Sequence, residues 1–295
     1  MELFKGSGVA LVTPFKSDGS IDYITLRKLI DFQIENNTDA IIIAGTTGES
    51  ATLSYIEHLN VIEECIDRVN GRIPVIAGTG SNCTKSAINM SKEAQNLGAD
   101  GLLIVTPYYN KTTQKGLINH YSKISEKVDI PIILYNVPSR TGLNIEPNTV
   151  KELVEENENI KGIKEASGNI NNISEIKELL KDKINIYSGN DDQIVPILSM
   201  GGVGVISVIA NILPKETHNL VINYLNGNIE ASKKEQLKML KLIKALFKEP
   251  NPIPIKKAME MLNMINGTLR EPLIELEEEH KKLLIKEMKN YGMDL

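Results

Sequence analysis

Eight short apolar runs, rich in β-branched residues and bounded by Gly or Pro, recur along the first two thirds of this chain, and each is followed by a longer polar stretch with apolar residues at three- and four-residue steps. The runs begin at Gly8 (GVALVTPF), Ala40 (AIIIAG), Ile73 (IPVIAG), Gly101 (GLLIVTP), Ile130 (IPIILYNVP), Ile160 (IKGIKEA), Ile184 (INIYSG) and Gly202 (GVGVISV). Their continuous rather than alternating apolarity suits strands buried on both faces. The stretches between them, such as Tyr23 to Asn36, Ser54 to Val69, Thr84 to Leu97 and Gln114 to Lys127, read as crossover helices. Eight such units predict a closed parallel barrel of the TIM (β/α)8 type, with an open doubly wound sheet as the alternative. No GxGxxG follows any of the runs, which favours the barrel.

The strand signal stops after Asn211. Three further amphipathic segments follow, Glu230 to Phe247, Ile255 to Ile265 and Leu273 to Tyr291, the first with an apolar stripe at Leu237, Leu240, Ile243 and Leu246 or Phe247. The turn EPNPIP, Glu249 to Pro254, separates the first two. The expected organisation is a barrel over residues 1–226 and a C-terminal helical domain over residues 227–295.

Charge and composition narrow the function classes. With 33 Lys and Arg against 38 Asp and Glu, the net charge is −5, so nucleic acid and anionic membranes are not expected partners. No run approaches the length needed to span a bilayer, and MELFKGSGVALVTPF lacks the charged head and long apolar middle of a signal peptide, so a cytoplasmic setting is expected. The two cysteines, Cys65 and Cys83, are too few for a disulfide framework and the four histidines are scattered, so no metal is expected.

In a barrel of this kind the reactive groups sit at the C-terminal ends of the strands. The second run ends in GTTGES, Gly45 to Ser50, where backbone N–H groups and two hydroxyls can converge on a small anion such as a carboxylate, or simply make a tight turn. The sixth run carries Lys164, which faces the barrel interior with Ile160, Gly162 and Ala166 if the strand is regular. Burial disfavours an ammonium ion, and a neutral amine can attack a ketone to form a Schiff base. A buried ion pair is the other use of such a lysine, and Lys161 on the opposite face is a weaker candidate. Tyr135 falls at the rim, where the fifth run ends, and can relay protons, while Arg140 on the next loop can grip a carboxylate at two points. Tyr108 and Tyr109 follow the fourth run. GGVGVIS, Gly201 to Ser207, reads as close backbone packing beside a small ligand rather than as a phosphate loop.

Taken in order, GTTGES, TPYYNKT, YNVPSRTG, GIKEASGN, YSGNDD and GGVGVISV resemble the dihydrodipicolinate synthase family, and with NPIPIKKAM in the tail the resemblance runs through essentially the whole chain. It implies a class I condensation of pyruvate with aspartate 4-semialdehyde, the first step of the diaminopimelate and lysine branch, with no metal or cofactor. Lys164 then stands as the Schiff-base lysine; Thr46 and Thr47 hold the carboxylate of pyruvate; Tyr135, Thr47 and Tyr109 form a proton relay; Arg140 receives the semialdehyde carboxylate; Gly189 and Ile206 line the pyruvate pocket. Relatives form homotetramers of tight dimers, or stop at the homodimer, and a tyrosine of the Tyr108–Tyr109 pair crosses between subunits.

The resemblance also implies an effector pocket for lysine near Ser50, Ala51, Tyr55, His58, Asn82, Ser86 and Tyr108. Here Tyr55 replaces a common histidine and Ser86 stands where a carboxylate often meets the effector's ammonium, so weak or absent feedback is expected. The alternative activities on the same scaffold are N-acetylneuraminate lyase and 2-keto-3-deoxy sugar acid aldolase. Arg140 and the second threonine of GTTGES favour a short acidic aldehyde over a polyhydroxylated sugar. A barrel that only binds a metabolite would be expected to have lost one of Lys164, Tyr135, Thr47 or Arg140, and all four are present.

Overall fold

A computed structural model describes residues 3–295 of the chain. Met1 and Glu2, the first two residues of MELFKGSGVALVTPF, lie outside the described residues. The chain runs β1 (Gly6–Ala10), α1 (Tyr23–Glu35), β2 (Ala40–Ile43), α2 (Tyr55–Val69), β3 (Val75–Gly78), α3 (Thr84–Asn96), β4 (Gly101–Val105), α4 (Gln114–Ser125), β5 (Ile132–Asn136), α5 (Pro138–Thr141), α6 (Pro147–Glu156), β6 (Ile160–Glu165), α7 (Ile170–Leu180), β7 (Asn185–Ser188), α8 (Ile194–Ser199), β8 (Gly204–Ser207) and α9 (Pro214–Leu225). Three helices follow: α10 (Ile229–Leu246), α11 (Ile253–Met261) and α12 (Glu278–Tyr291). All eight strands are parallel and each pairs with the next, and β1 closes on β8 with Gly6 opposite Gly204 and Val9 opposite Ser207. The closed ring excludes the open doubly wound sheet.

Alternation along each strand divides two cores. On β2, Ile41 and Ile43 face the helices, while Ala40 and Ile42 face inward with Ile76, Leu103, Ile133 and Ile206. Phe4 stacks on Tyr187 at 4.5 Å inside the barrel, and the Tyr187 hydroxyl donates to the Phe4 carbonyl at 2.8 Å. Gly204 shows why glycine recurs in GGVGVIS: a Cβ there would lie 2.1 Å from the Gly6 carbonyl oxygen, so the motif serves close backbone packing at the closing seam.

Three expectations are corrected. β6 is not regular: Ile132 pairs with Ile160, but Ile133 pairs with Gly162, so a bulge at this step turns Ile160 to the outer core and leaves Lys164 on the inward face. On α10 the buried ladder is Ser232, Gln236, Met239, Ile243 and Leu246, at steps of four and three; Leu237 falls one residue off that ladder and is 69% exposed, and Phe247 is exposed beyond it. The tail helices are also shorter than their periodicity suggests. α11 stops at Met261, before the left-handed Asn263 and Gly267, and α12 starts only at Glu278, after Pro272. Two acidic residues in the first turn of α12 suit its positive end, and Gly292 ends it in the left-handed region that glycine enters without strain. Among the described residues no helix is long and apolar enough to cross a membrane.

Candidate active site

Tyr135 and Lys164 are direct partners in the β5–β6 register, so two inward-facing side chains meet at the same height in the barrel. Lys164 is only 5% exposed, and its Nζ lies 4.4 Å from the centre of the Tyr135 ring. Both line a cavity of about 480 Å³ together with Thr47, Arg140, Gly189 and Asn251. Gly189 is there because nothing larger fits: a Cβ would approach the Ala166 Cβ to 2.6 Å, while the Gly189 N–H donates to the Glu165 carbonyl at 2.7 Å. Ile206 packs in the barrel interior with Tyr135 and Ala166.

Thr47 is buried, and its Oγ1 accepts a hydrogen bond from Asn251 Nδ2 at 2.9 Å. Arg140, on α5, donates from Nη2 to the Asn251 carbonyl oxygen at 2.9 Å. Asn251 thus ties the β2 loop and the α5 loop together from the C-terminal segment. Thr46, next to Thr47 in the chain, lines an adjoining cavity, also about 480 Å³, that shares Arg140 and Asn251 with the first. Tyr109 is 91% exposed, has φ of 70° and lines neither cavity, whereas Tyr108 lines the neighbouring one.

Six of the seven residues expected around an effector pocket, Ser50, Ala51, Tyr55, His58, Ser86 and Tyr108, line that neighbouring cavity. Asn82 does not; its carbonyl accepts a hydrogen bond from Asn110 Nδ2 at 2.9 Å. The ring of His58 is buried with Nε2 2.7 Å from the Gly78 carbonyl. Burial holds its pKa below the ordinary value, against the pull of that carbonyl, so Nε2–H is the donor of an uncharged ring.

The residues that sequence reasoning missed come mostly from the tail. Glu49 of GTTGES sits in the left-handed region at φ 54° and is ion-paired to Lys256 of α11, a side chain with no exposed surface. The Lys256 ammonium also donates to the Thr268 carbonyl at 3.0 Å and lies 4.1 Å above the Phe15 ring. Burial pushes its pKa down to about 8, with Glu49 opposing the shift. Arg270 completes the knot: its backbone N–H reaches Glu49 Oε2 at 3.0 Å, and its guanidinium binds Glu57 and the carbonyls of Gly19 and Thr52. Asp191, buried next to the lining residue Asn190, accepts the N–H groups of Val208 and Ile209 on Oδ2 at 3.1 and 2.9 Å, and burial raises its carboxyl despite those bonds. The available signals were the charged residues inside GTTGES and NPIPIKKAM and the turn EPNPIP; spacing assigns no partner to any of them. Glu249, Glu277 and His280 also converge, each offering an atom within 4.8 Å of the others, and their bonds to one another account for the arrangement.

A buried amine beside a phenol, hydroxyl donors and a guanidinium is a site for imine chemistry on a small acid. Residues 3–291 match the model of the dihydrodipicolinate synthetase family. The chain is 60% identical over 295 residues to a 4-hydroxy-tetrahydrodipicolinate synthase of Caldicellulosiruptor bescii, covering 100% of this chain and 99% of that one. Among solved structures it resembles the chloride-inhibited dihydrodipicolinate synthase of Acinetobacter baumannii complexed with pyruvate, at 43% identity and a TM-score of 0.95 over 98% of this chain and 99% of that chain. It also resembles the enzyme of Cyanidioschyzon merolae with lysine bound, at 38% identity and a TM-score of 0.96 over 99% of both chains. The chain therefore belongs to the dihydrodipicolinate synthetase family.

Proposed function

We propose that the cavity around Lys164 condenses pyruvate with L-aspartate 4-semialdehyde to give 4-hydroxy-tetrahydrodipicolinate, for the diaminopimelate and lysine pathway. The observation that carries this reading is the enclosure of the Lys164 nitrogen against Tyr135, in one cavity with Arg140. The amine adds to the keto carbon of pyruvate and water leaves, giving an imine. That imine draws electrons from the adjacent methyl carbon, which loses a proton to form an enamine, so the reading calls for no metal and no cofactor. The enamine carbon bonds to the aldehyde carbon, whose oxygen takes a proton. The amino nitrogen of the semialdehyde then adds at the imine carbon, and Lys164 leaves as the ring closes.

In this reading Thr46 and Thr47 hold the carboxylate of pyruvate, Gly189 and Ile206 shape its pocket, and Arg140 takes the carboxylate of the semialdehyde. Tyr135, Thr47 and Tyr109 move protons. The outward position of Tyr109 supports its service from a second copy of the chain, as a homodimer or a homotetramer. Residues 1–226 act as the catalytic barrel and 227–295 as the helical domain that braces it through Asn251 and Lys256. Free thiols at Cys65 and Cys83 suit a reducing, cytoplasmic setting.

The neighbouring cavity is the proposed effector pocket, with weak or absent response to lysine. Its lining carboxylate, Glu49, is already occupied by Lys256 and Arg270, and Ser86 brings no charge. Loss of a charge-assisted contact costs about 1.5–3 kcal/mol, or roughly ten- to a hundredfold in affinity. Half-inhibition at micromolar lysine would contradict this.

Borohydride added with pyruvate tests the central reading: a reduced adduct should appear on the peptide carrying Lys164 and vanish in Lys164→Ala, whose turnover should fall at least about 10³-fold. Mass spectrometry of product formed from pyruvate with either aspartate semialdehyde or N-acetylmannosamine separates the synthase from a sugar acid aldolase. An absent adduct, or product only with the sugar, overturns it.

A further inference from the structure

Glu249 lies in the turn between α10 and α11 and lines the same cavity as Lys164, Arg140 and Asn251, yet the condensation described above gives it nothing to do. Its position is held from one side. Oε1 accepts two hydrogen bonds, from His280 Nδ1 at 2.7 Å and from the Glu277 backbone N–H at 2.9 Å. Among the described residues Oε2 accepts none, so the carboxylate of this cavity-lining residue is held through one oxygen and the other is unengaged. The other charges lining the cavity, Lys164, Arg140 and Lys248, are all cationic.

The two proposed substrates differ in what they ask of such a wall. Pyruvate carries only a carboxylate. The semialdehyde carries a carboxylate and an α-ammonium group, and a cavity that presents a guanidinium and a carboxylate matches both charges of that head. We propose that Glu249 is a specificity-determining residue that receives the α-ammonium group of the aldehyde substrate while Arg140 holds its carboxylate, so that the cavity selects an α-amino aldehyde acid over the same aldehyde acid without the amine. This rests on the condensation proposed above and adds the group that reads the amine. Discrimination follows from leaving a held carboxylate without its cation when the amine is missing.

The test is Glu249→Gln, which keeps the shape of the side chain and an oxygen for His280 and Glu277 but removes the charge. The KM for aspartate semialdehyde should rise about ten- to a hundredfold, the effect of losing a charge-assisted contact. The inhibition constant of succinate semialdehyde, the same chain without the amino group, should stay within about twofold, and the KM for pyruvate should not move. His280→Ala is the companion variant: it removes the tether and leaves the carboxylate, so preference for the amine-bearing aldehyde should persist even if the melting temperature drops. Equal losses for both aldehydes in Glu249→Gln, or no change in either, overturn the inference, as does a loss of preference in His280→Ala that matches the loss in Glu249→Gln. Borohydride trapping of pyruvate in the same variant keeps the two claims apart. No adduct even in the parent protein sinks the condensation itself, while an intact adduct with unchanged selectivity sinks only the role of Glu249.

Discussion

Lys164 and Tyr135 meet because they are register partners on neighbouring inward-facing strands, and the contact of 4.4 Å follows from strand geometry rather than from any long-range adjustment. Gly189 is the tighter constraint at this scale. Its hydrogen bond to Glu165 draws β6 and the loop after β7 so close that a methyl group would meet the Ala166 Cβ at 2.6 Å. Gly189→Ala should therefore displace the loop bearing Asn190 from the cavity wall. The expected outcome is a loss of about 1–3 kcal/mol in a denaturation series, the usual cost of overpacking, together with a raised KM for pyruvate. An alanine variant with unaltered stability and KM would show that the loop moves aside freely.

Elements explain what single residues cannot. The GTTGES loop after β2 carries Glu49 in a backbone region that non-glycine residues rarely occupy. α11 supplies a restraint by burying Lys256 against Glu49, and the turn before it delivers Asn251 to Thr47 and Arg140. Removing one partner of a buried ion pair strands the other charge, at a cost of about 3–5 kcal/mol. Lys256→Met should thus lower the free energy of unfolding in a denaturant series by that amount, and the double variant Lys256→Met with Glu49→Gln should recover a large part of it. Equal destabilisation by the single and the double change would mean that packing around α11, not charge, dominates.

For the whole molecule, the tail is fastened to the barrel through Arg270 as well, and that link titrates. The Arg270 guanidinium holds Glu57 down to about 2, from an ordinary 4.5. Because the folded protein binds this proton less readily than the unfolded chain, the stabilising contribution is complete above about pH 4.5 and disappears as the pH falls through about 2. Glu57→Gln should therefore melt below the parent protein at pH 7, with the gap narrowing between pH 4.5 and pH 2 as both forms come to carry an uncharged side chain. A gap of constant size across that range would assign the difference to packing or to the Ser54–Glu57 capping box instead.

Strand number, strand direction and the inward lysine were all readable from one dimension, because burial on both faces and the alternation with helices leave periodic marks in the chain. GTTGES and the Tyr135–Arg140 loop were legible for the same reason: they end periodic runs at the face where a barrel keeps its chemistry. The bulge that turns Ile160 outward, the displaced ladder on α10 and the long loop before α12 were not, since a one-residue slip costs the local pattern little and is settled by packing. Least visible were Asn251 to Thr47 and Lys256 to Glu49, contacts spanning some two hundred residues. A side chain's type is written in the sequence, but its partner is chosen only when closure of the barrel and docking of the tail bring distant loops together, and that choice decides which polar groups are free to meet a substrate.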